Sequence, residues 1–196
     1  MPTVKTKTSP NKTKRPNGRG DVWGGLIHWT ATKAGVSAMN IATYFSRESS
    51  GVSAHTVIDR NGDRVRCVPL GYAAWHAGKS RYDFNRDGEI TADERRVNTH
   101  TVGWELCHYP GEPWPDAQIR ALAKEIRRTD RLCPKFRLRD ITDHEAVSLS
   151  GKWDVDKSFP AARLFWYVIH PRTAVPKDCY AQLPRWARKQ VDEIKR

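Results

Sequence analysis

Between Val22 and Leu132, runs of strand length alternate with amphipathic stretches of helix length, and this alternation restricts the chain to an α/β architecture. Val22 to His28 is an apolar run ending in a histidine, as in a buried strand. Ser37 then caps a helix reaching about Arg47, with Met39, Ile41, Ala42 and Phe45 at its apolar positions. His55–Asp59 and Val65–Leu70 flank Asn61-Gly62, a dipeptide that favours a tight hairpin turn. Thr101–Leu106 predicts another strand, with Glu105 near its end. Pro115 opens a long helix to about Leu132, with Ile119, Leu122, Ile126 and Leu132 in helical spacing. No internal repeat interrupts the pattern, and 196 residues suffice for one domain with a sizeable core plus tails.

The tails carry much of the charge. Residues 1–20 hold six Lys or Arg, no Asp or Glu, and several Pro, Gly, Thr and Ser, a composition that predicts a disordered basic arm. The folded domain is expected over residues 21–176. Residues 177–196 are expected to end in a basic amphipathic helix, with Leu183, Trp186, Ala187, Val191 and Ile194 on one face, docked on the domain or meeting anionic lipid. A formal charge of +12 favours acidic partners: nucleic acid, anionic lipid or an anionic wall polymer. No recognition helix or aromatic platform accompanies that charge, so no specific nucleic-acid role is expected. No apolar run is long enough to cross a membrane and the N-terminus lacks the apolar segment of a secretory signal, so folding in the cytoplasm is the expectation. Cys67, Cys107, Cys133 and Cys179 are scattered and read as buried thiols.

Residues 83–94 spell D-x-N-x-D-G-x5-E, the pattern of a calcium loop. Asp83, Asn85 and Asp87 supply side-chain oxygens, Glu89 a backbone carbonyl, and Glu94 a closing carboxylate, while Gly88 permits the turn and Thr91 offers a ligand or a bridging water. Gly71–Tyr82 has no helical periodicity. The loop therefore reads as an isolated insert, a structural Ca2+ staple rather than half of a paired sensor; the bland alternative is a polar surface loop with solvated acids.

His28, Glu105, His144 and Asp154 stand out as candidates for chemistry. Two imidazole nitrogens and a carboxylate oxygen, with a fourth position open, form a catalytic zinc set. The residues lie far apart in sequence, so spacing alone does not join them.

Several segments, in order, resemble the zinc-dependent N-acetylmuramoyl-L-alanine amidases of the phage endolysin and peptidoglycan recognition protein superfamily. They are Ile27-His28-Trp29-Thr30-Ala31-Thr32, the string from Val52 to Gly62 containing Ser53-Ala54-His55, Ala74-Trp75-His76-Ala77-Gly78, Asn98 to Leu106, and Asp143-His144-Glu145 through Lys152-Trp153-Asp154. Together they cover about residues 22–166. The resemblance implies a single α/β domain with a central mixed β-sheet flanked by helices and Zn2+ at the base of a groove. It assigns His28, His144 and Asp154 to zinc, with Asp156 as a competing third ligand. Glu105 matches the general base and Lys152 an oxyanion-stabilising lysine. The tyrosine that some members use falls at Ala54. His55, His76 and Trp75 belong to matched strings and are placed at the substrate groove, the two histidines either touching substrate or orienting zinc ligands; the equal alternative is that both pack and hydrogen-bond inside. The implied activity is hydrolysis of the amide between N-acetylmuramic acid and L-alanine in bacterial peptidoglycan. Compactness and positive charge resemble single-domain endolysins of phages infecting Gram-negative hosts: a monomer held in the host cytoplasm until lysis. The rival reading is a recognition module that binds muropeptides and cuts nothing.

Overall fold

The structure is a computed structural model describing residues 2–151 and 154–194. In chain order the elements are β1 (Val4–Thr6), β2 (Lys12–Lys14), β3 (Gly24–Trp29), α1 (Ala38–Phe45), β4 (Thr56–Ile58), β5 (Arg64–Arg66), β6 (Tyr72–Ala74), α2 (Val97–His100), β7 (Thr101–Leu106), α3 (Asp116–Leu132), β8 (Ile141–Asp143), α4 (Ala161–Ile169), α5 (Cys179–Gln182) and α6 (Arg185–Ile194). Six strands form one sheet in the order β1-β5-β4-β7-β3-β8; β4 and β5 are antiparallel and the other neighbours parallel. β2 and β6 make a second, antiparallel pair. The architecture is the expected α/β domain with a mixed central sheet.

Strand alternation assigns each face. Ile27 and Trp29 of β3, with Val102, Trp104 and Leu106 of β7, pack into the larger core beneath α3, α4 and α6, where Ile119, Leu122, Ile126, Phe165 and Val191 are buried. The opposite face holds Val57, Val65 and Cys107 against Ala38, Ala42 and Phe45 of α1. Packing is tight where β3 and β7 pair: a Cβ on Gly25 would lie 2.2 Å from the Trp104 ring, so only glycine fits beneath that indole.

Local signals explain the element ends. Ser37 and Asn40 form a capping box at α1, the Ser37 hydroxyl accepting from the Asn40 amide and the Asn40 carbonyl oxygen accepting from the Ser37 amide at 2.9 Å. The Asn61-Gly62 turn joins the antiparallel β4 and β5 as expected. α3 follows Pro115, and its buried Gln118 side chain donates to the carbonyls of Ile58 (3.1 Å) and Cys107 (2.9 Å), tying the helix to two strand ends. α6 docks through Ala187, Gln190, Val191 and Ile194. The Gln190 amide donates to the Ile141 carbonyl at 2.9 Å, covering part of the β8 edge. No helix among the described residues is long and apolar enough to cross a membrane. Cys67, Cys107 and Cys133 are buried free thiols, whereas Cys179 is only half-buried.

The basic arm corrects the expectation of disorder. β1 adds to the sheet edge in register with β5, and the amides of Lys7 and Ser9 donate to the carbonyls of Arg66 (3.0 Å) and Cys67 (2.9 Å). Ser9, Asn11 and Arg15 are fully buried. Composition misleads here because the arm borrows its order: main-chain pairing with an existing edge needs no apolar side chains of its own. Amide hydrogen exchange tests this. Lys7 and Ser9 are expected to exchange with the slow class of the central sheet, and exchange at the rate of an unstructured peptide would restore the disordered arm.

Candidate metal centre

Three parallel strands bring the candidate residues to one place. His28 lies on the face of β3 opposite Ile27 and Trp29, and its register partner on β7 is Glu105. β8 runs beside β3 with Asp143 against Ile27, so the next residue, His144, arrives beside His28. The two imidazoles meet with centroids 4.7 Å apart. Asp154 closes the group from the loop after β8. Its Oδ2 lies 2.6 Å from His144 Nδ1 and 3.2 Å from His28 Nδ1, and its Oδ1 accepts from the Trp29 amide at 3.4 Å. Val155, next in sequence, is anchored in the core at φ +27°, a backbone conformation that a β-branched residue adopts only under constraint from its surroundings.

Proton accounting shows what the centre lacks. The Thr101 hydroxyl donates to the Val97 carbonyl at 2.7 Å, so its oxygen accepts from His76 Nε2–H at 3.3 Å. His76 Nδ1 is then an acceptor and takes His28 Nε2–H at 2.9 Å. His144 Nε2–H likewise donates to the Ala77 carbonyl at 3.0 Å. In the neutral form both rings would therefore turn a bare Nδ1 toward the Asp154 carboxylate. Three buried lone-pair donors converge, and their mutual repulsion requires positive charge at the junction: protons on the Nδ1 atoms or a cation. Burial pushes the Asp154 carboxyl up, but where the two Nδ1 atoms carry protons, the hydrogen bonds and charge of His144 and His28 outweigh it and hold the group well below the usual carboxylate range. Among the described residues, His28, His144 and Asp154 form the one cluster whose three candidate ligand atoms lie within 4.8 Å of one another. Two nitrogens and one carboxylate oxygen, each ring fixed by its other nitrogen, fit a zinc ion with a fourth position left for water or substrate.

The centre opens into a cleft of about 270 Å³ lined by Glu105, His76 and Trp75. Trp75 stands 40% exposed on the rim, its indole N–H donating to the Thr13 hydroxyl at 2.9 Å. His76 lies against β7, where a Cβ on Gly103 would come within 2.6 Å of its ring, so that glycine is a condition of the His28 contact. The sequence reading missed Tyr44 and Val52, exposed apolar residues on the same rim. Tyr44 follows Ile41 by three positions, and that spacing on α1 was the available signal. Ala54 is buried in the core and offers the cleft nothing.

Two alternatives left open by the sequence are decided. His55 does not line the cleft; it is buried, its Nδ1 accepting from the Gly103 amide at 3.0 Å and its Nε2–H donating to the Tyr72 carbonyl at 3.0 Å. Both ring nitrogens serve the main chain, leaving none for substrate. Asp156 turns away from the centre: its Oδ1 accepts from the Ser158 amide (2.8 Å) and hydroxyl. Asp154 alone of the pair reaches the histidines. Lys152 and Trp153 lie outside the described residues.

In the Asp83–Glu94 loop the acidic groups are spent on the loop's own amides. Asp83 accepts from Gly88 (2.9 Å) and Arg86, Asn85 from Asp87 (3.0 Å), and Asp87 from Glu89 (2.8 Å). Glu94 accepts from Phe84 and from Thr91, both at 2.9 Å. No helix precedes the loop, as expected of an insert. Phe84 anchors it against Trp23 and Tyr82, and Arg86 reaches the Arg139 carbonyl at 2.6 Å.

Residues 18–157 match the family described as N-acetylmuramoyl-L-alanine amidase. The 1,6-anhydro-N-acetylmuramyl-L-alanine amidase AmpD of Escherichia coli (strain K12) is 32% identical over 112 residues, 57% of this chain and 56% of that protein. The chain thus spans about half the length of the curated relatives it matches. The crystal structure of a Se-Met AmpD derivative superposes with a TM-score of 0.63 at 26% identity, covering 86% of this chain and 96% of that one. A mutant endolysin from Bacillus subtilis shares the fold at a TM-score of 0.55 and 22% identity, covering 78% and 88%.

His55 gives this site a stability signature. Burial, then the nearby Arg15 charge, lowers its pKa from 6.5 to about 3. Below pH 6.5 the unfolded chain takes up a proton that the folded chain refuses until about pH 3, so folding stability falls across that window as pH drops. At pH 5 the loss from this residue is about 2 kcal/mol, from roughly 1.4 kcal/mol per pH unit. Urea unfolding at pH 7 and pH 5 is expected to show a shallower slope for His55→Gln than for the parent chain. Equal slopes would mean that His55 takes up its proton in the folded state.

Proposed function

The chain belongs to the N-acetylmuramoyl-L-alanine amidase family, and from that premise we propose that it is a zinc-dependent peptidoglycan hydrolase, cleaving the amide between the lactyl group of N-acetylmuramic acid and L-alanine, with an endolysin's role in host lysis. The observation that carries the reading is the junction of His28, His144 and Asp154, with Glu105 on the adjacent strand in the His28 register. A recognition module that cuts nothing would have no need of that full set.

His28 Nδ1, His144 Nδ1 and an Asp154 oxygen would hold the ion. Bound zinc supplies Lewis acidity, lowering the pKa of water from 15.7 toward about 7 and polarising a carbonyl oxygen. Glu105, lining the cleft, takes the proton of the attacking water and returns it to the departing L-alanine amine. Lys152 is proposed to steady the oxyanion. Trp75, with Tyr44 and Val52, gives the substrate an apolar rim. Positive charge favours approach to the anionic wall and contact with anionic membrane, and the enzyme is proposed to act as a monomer, reaching the wall from the host cytoplasm once the inner membrane is breached.

Likeness to curated AmpD proteins favours a second reading, in which the substrate is a soluble 1,6-anhydro-muropeptide rather than intact wall. Mass spectrometry of digested sacculi separates the two. Free stem peptides beginning at L-alanine are expected under the endolysin reading, whereas cleavage confined to soluble anhydro-muropeptides would support the second. In either assay Glu105→Gln is expected to lower kcat by about 10² to 10⁴-fold while keeping its zinc, and Asp154→Ala to lose the metal. A Glu105→Gln enzyme of parental kcat would remove the proposed base.

The Asp83–Glu94 motif supports a further proposal, that this insert takes calcium as a staple, its carboxylates exchanging their amide partners for the ion. Calcium is then expected to raise the Tm of the parent chain and not that of Asp83→Asn. A Tm indifferent to calcium would leave a self-satisfied loop.

A further inference from the structure

The metal reading leaves Arg15 unexplained. This side chain is 1% exposed, and among the described residues no carboxylate lies within ion-pair distance of it. Burial lowers its pKa only to about 10, so it is a buried cation at neutral pH. Such a charge survives in the interior only where its donors are satisfied. Three main-chain carbonyls do this: Nε donates to Leu70 at 3.1 Å, one terminal nitrogen to Asn98 at 3.1 Å, and the other to Thr101 at 2.7 Å. The same terminal nitrogen lies 3.2 Å from His55 Nε2, whose hydrogen is committed to Tyr72, so that approach is a packing contact.

Two of those carbonyls belong to residues whose side chains hold His76. Asn98 Oδ1 accepts from the amides of His76 (3.1 Å) and Ala77 (2.8 Å), and the Thr101 hydroxyl accepts from His76 Nε2–H. His76 in turn accepts from His28 Nε2–H. We propose that Arg15 is a positioning residue for the metal centre: its planar fork fixes Asn98 and Thr101, which set His76, which fixes the tautomer of His28 with Nδ1 bare. The guanidinium suits this role because three donors in one rigid plane join Leu70 to the Asn98–Thr101 stretch, whereas a lysine ammonium has neither the plane nor the reach. The segment that brings Arg15 is stitched in just before it, at Ser9 and Asn11. Ser9 donates to the Phe45 carbonyl at 2.6 Å, Asn11 Nδ2 to the Arg47 carbonyl at 2.9 Å, and Ser53 to the Asn11 carbonyl at 2.5 Å. The arm is therefore held at more than one point, so that loss of the Ser9 bond alone leaves Arg15 in place.

The inference rests on the zinc reading only for its effect on affinity; the tautomer effect belongs to the protein alone. Both are measured on the full chain, as Arg15→Met, Arg15→Lys and the control Ser9→Ala. Chelator competition gives the zinc affinity, and long-range ¹H–¹⁵N spectra of the metal-free protein report which ring nitrogens of His28 and His76 carry hydrogen. In the parent both are expected protonated at Nε2. Arg15→Met is expected to bind zinc about 10-fold more weakly, the lower end for loss of a group orienting a ligand, and to lose the defined His76 tautomer. Arg15→Lys is expected to recover part of both, and Ser9→Ala to lower Tm without moving either. Should Arg15→Met fail to fold, Arg15→Gln, which keeps a polar head but not the three-donor fork, is expected to show the same loss of affinity and of the His76 tautomer, and parental values for both would overturn the proposal. A folded Arg15→Met with parental affinity and ring signals overturns the proposal, as does Ser9→Ala losing as much affinity at equal Tm loss. A parent chain that binds no zinc overturns the metal reading instead, and the ring spectra still decide the role of Arg15.

Discussion

Parallel pairing of Gly24–Trp29 with Thr101–Leu106 on one side and Ile141–Asp143 on the other is the constraint on which the site depends. It sets His28, Glu105 and His144 at neighbouring strand ends, though 77 and 39 residues separate them in sequence. Side-chain alternation does the rest, because the residues between them must feed the core under α3 and α4. A register slip by one residue would send His28 into that core and Ile27 into the cleft. Core burial and site geometry are therefore enforced together.

Around that frame the polar interior converges on one junction. His76, His55, Thr101 and Arg15 find partners within the protein, mostly main-chain carbonyls and amides. His28, His144 and Asp154 instead bring three candidate ligand atoms within 4.8 Å of one another. Hydrogen bonding on the far side of each ring decides which nitrogen faces the junction, so the groups behind the centre contribute as much to its chemistry as the three that form it. Gly103 belongs to this arrangement through the space it leaves for His76.

Much of the fold was legible in the sequence where the signal is local. The Ser37 cap, the Asn61-Gly62 hairpin and the periodicity of Asp116–Leu132 each describe what a short segment does alone. The site was legible through motif order, which nominated His28, His144, Asp154 and Glu105 before any distance was known. The failures share one physical origin. Residues 4–14 carry little apolar surface, and their order comes from pairing with β5 and β6, elements more than 50 residues away. His55 sits in a matched string, yet the sequence could not tell a ring that faces substrate from one that bonds Gly103 and Tyr72.

The sequence by itself determined the α/β class, the family and the residue types that can hold a metal, since these follow from periodicity, capping and motif order along the chain. Tertiary structure alone decided that the basic arm is a strap rather than a tail, that His55 serves the main chain rather than the cleft, and that His28 and His144 both turn Nδ1 toward Asp154. The physical reason is that these outcomes rest on hydrogen-bond partners supplied from distant segments, and a donor or acceptor in sequence carries no record of which partner it will meet.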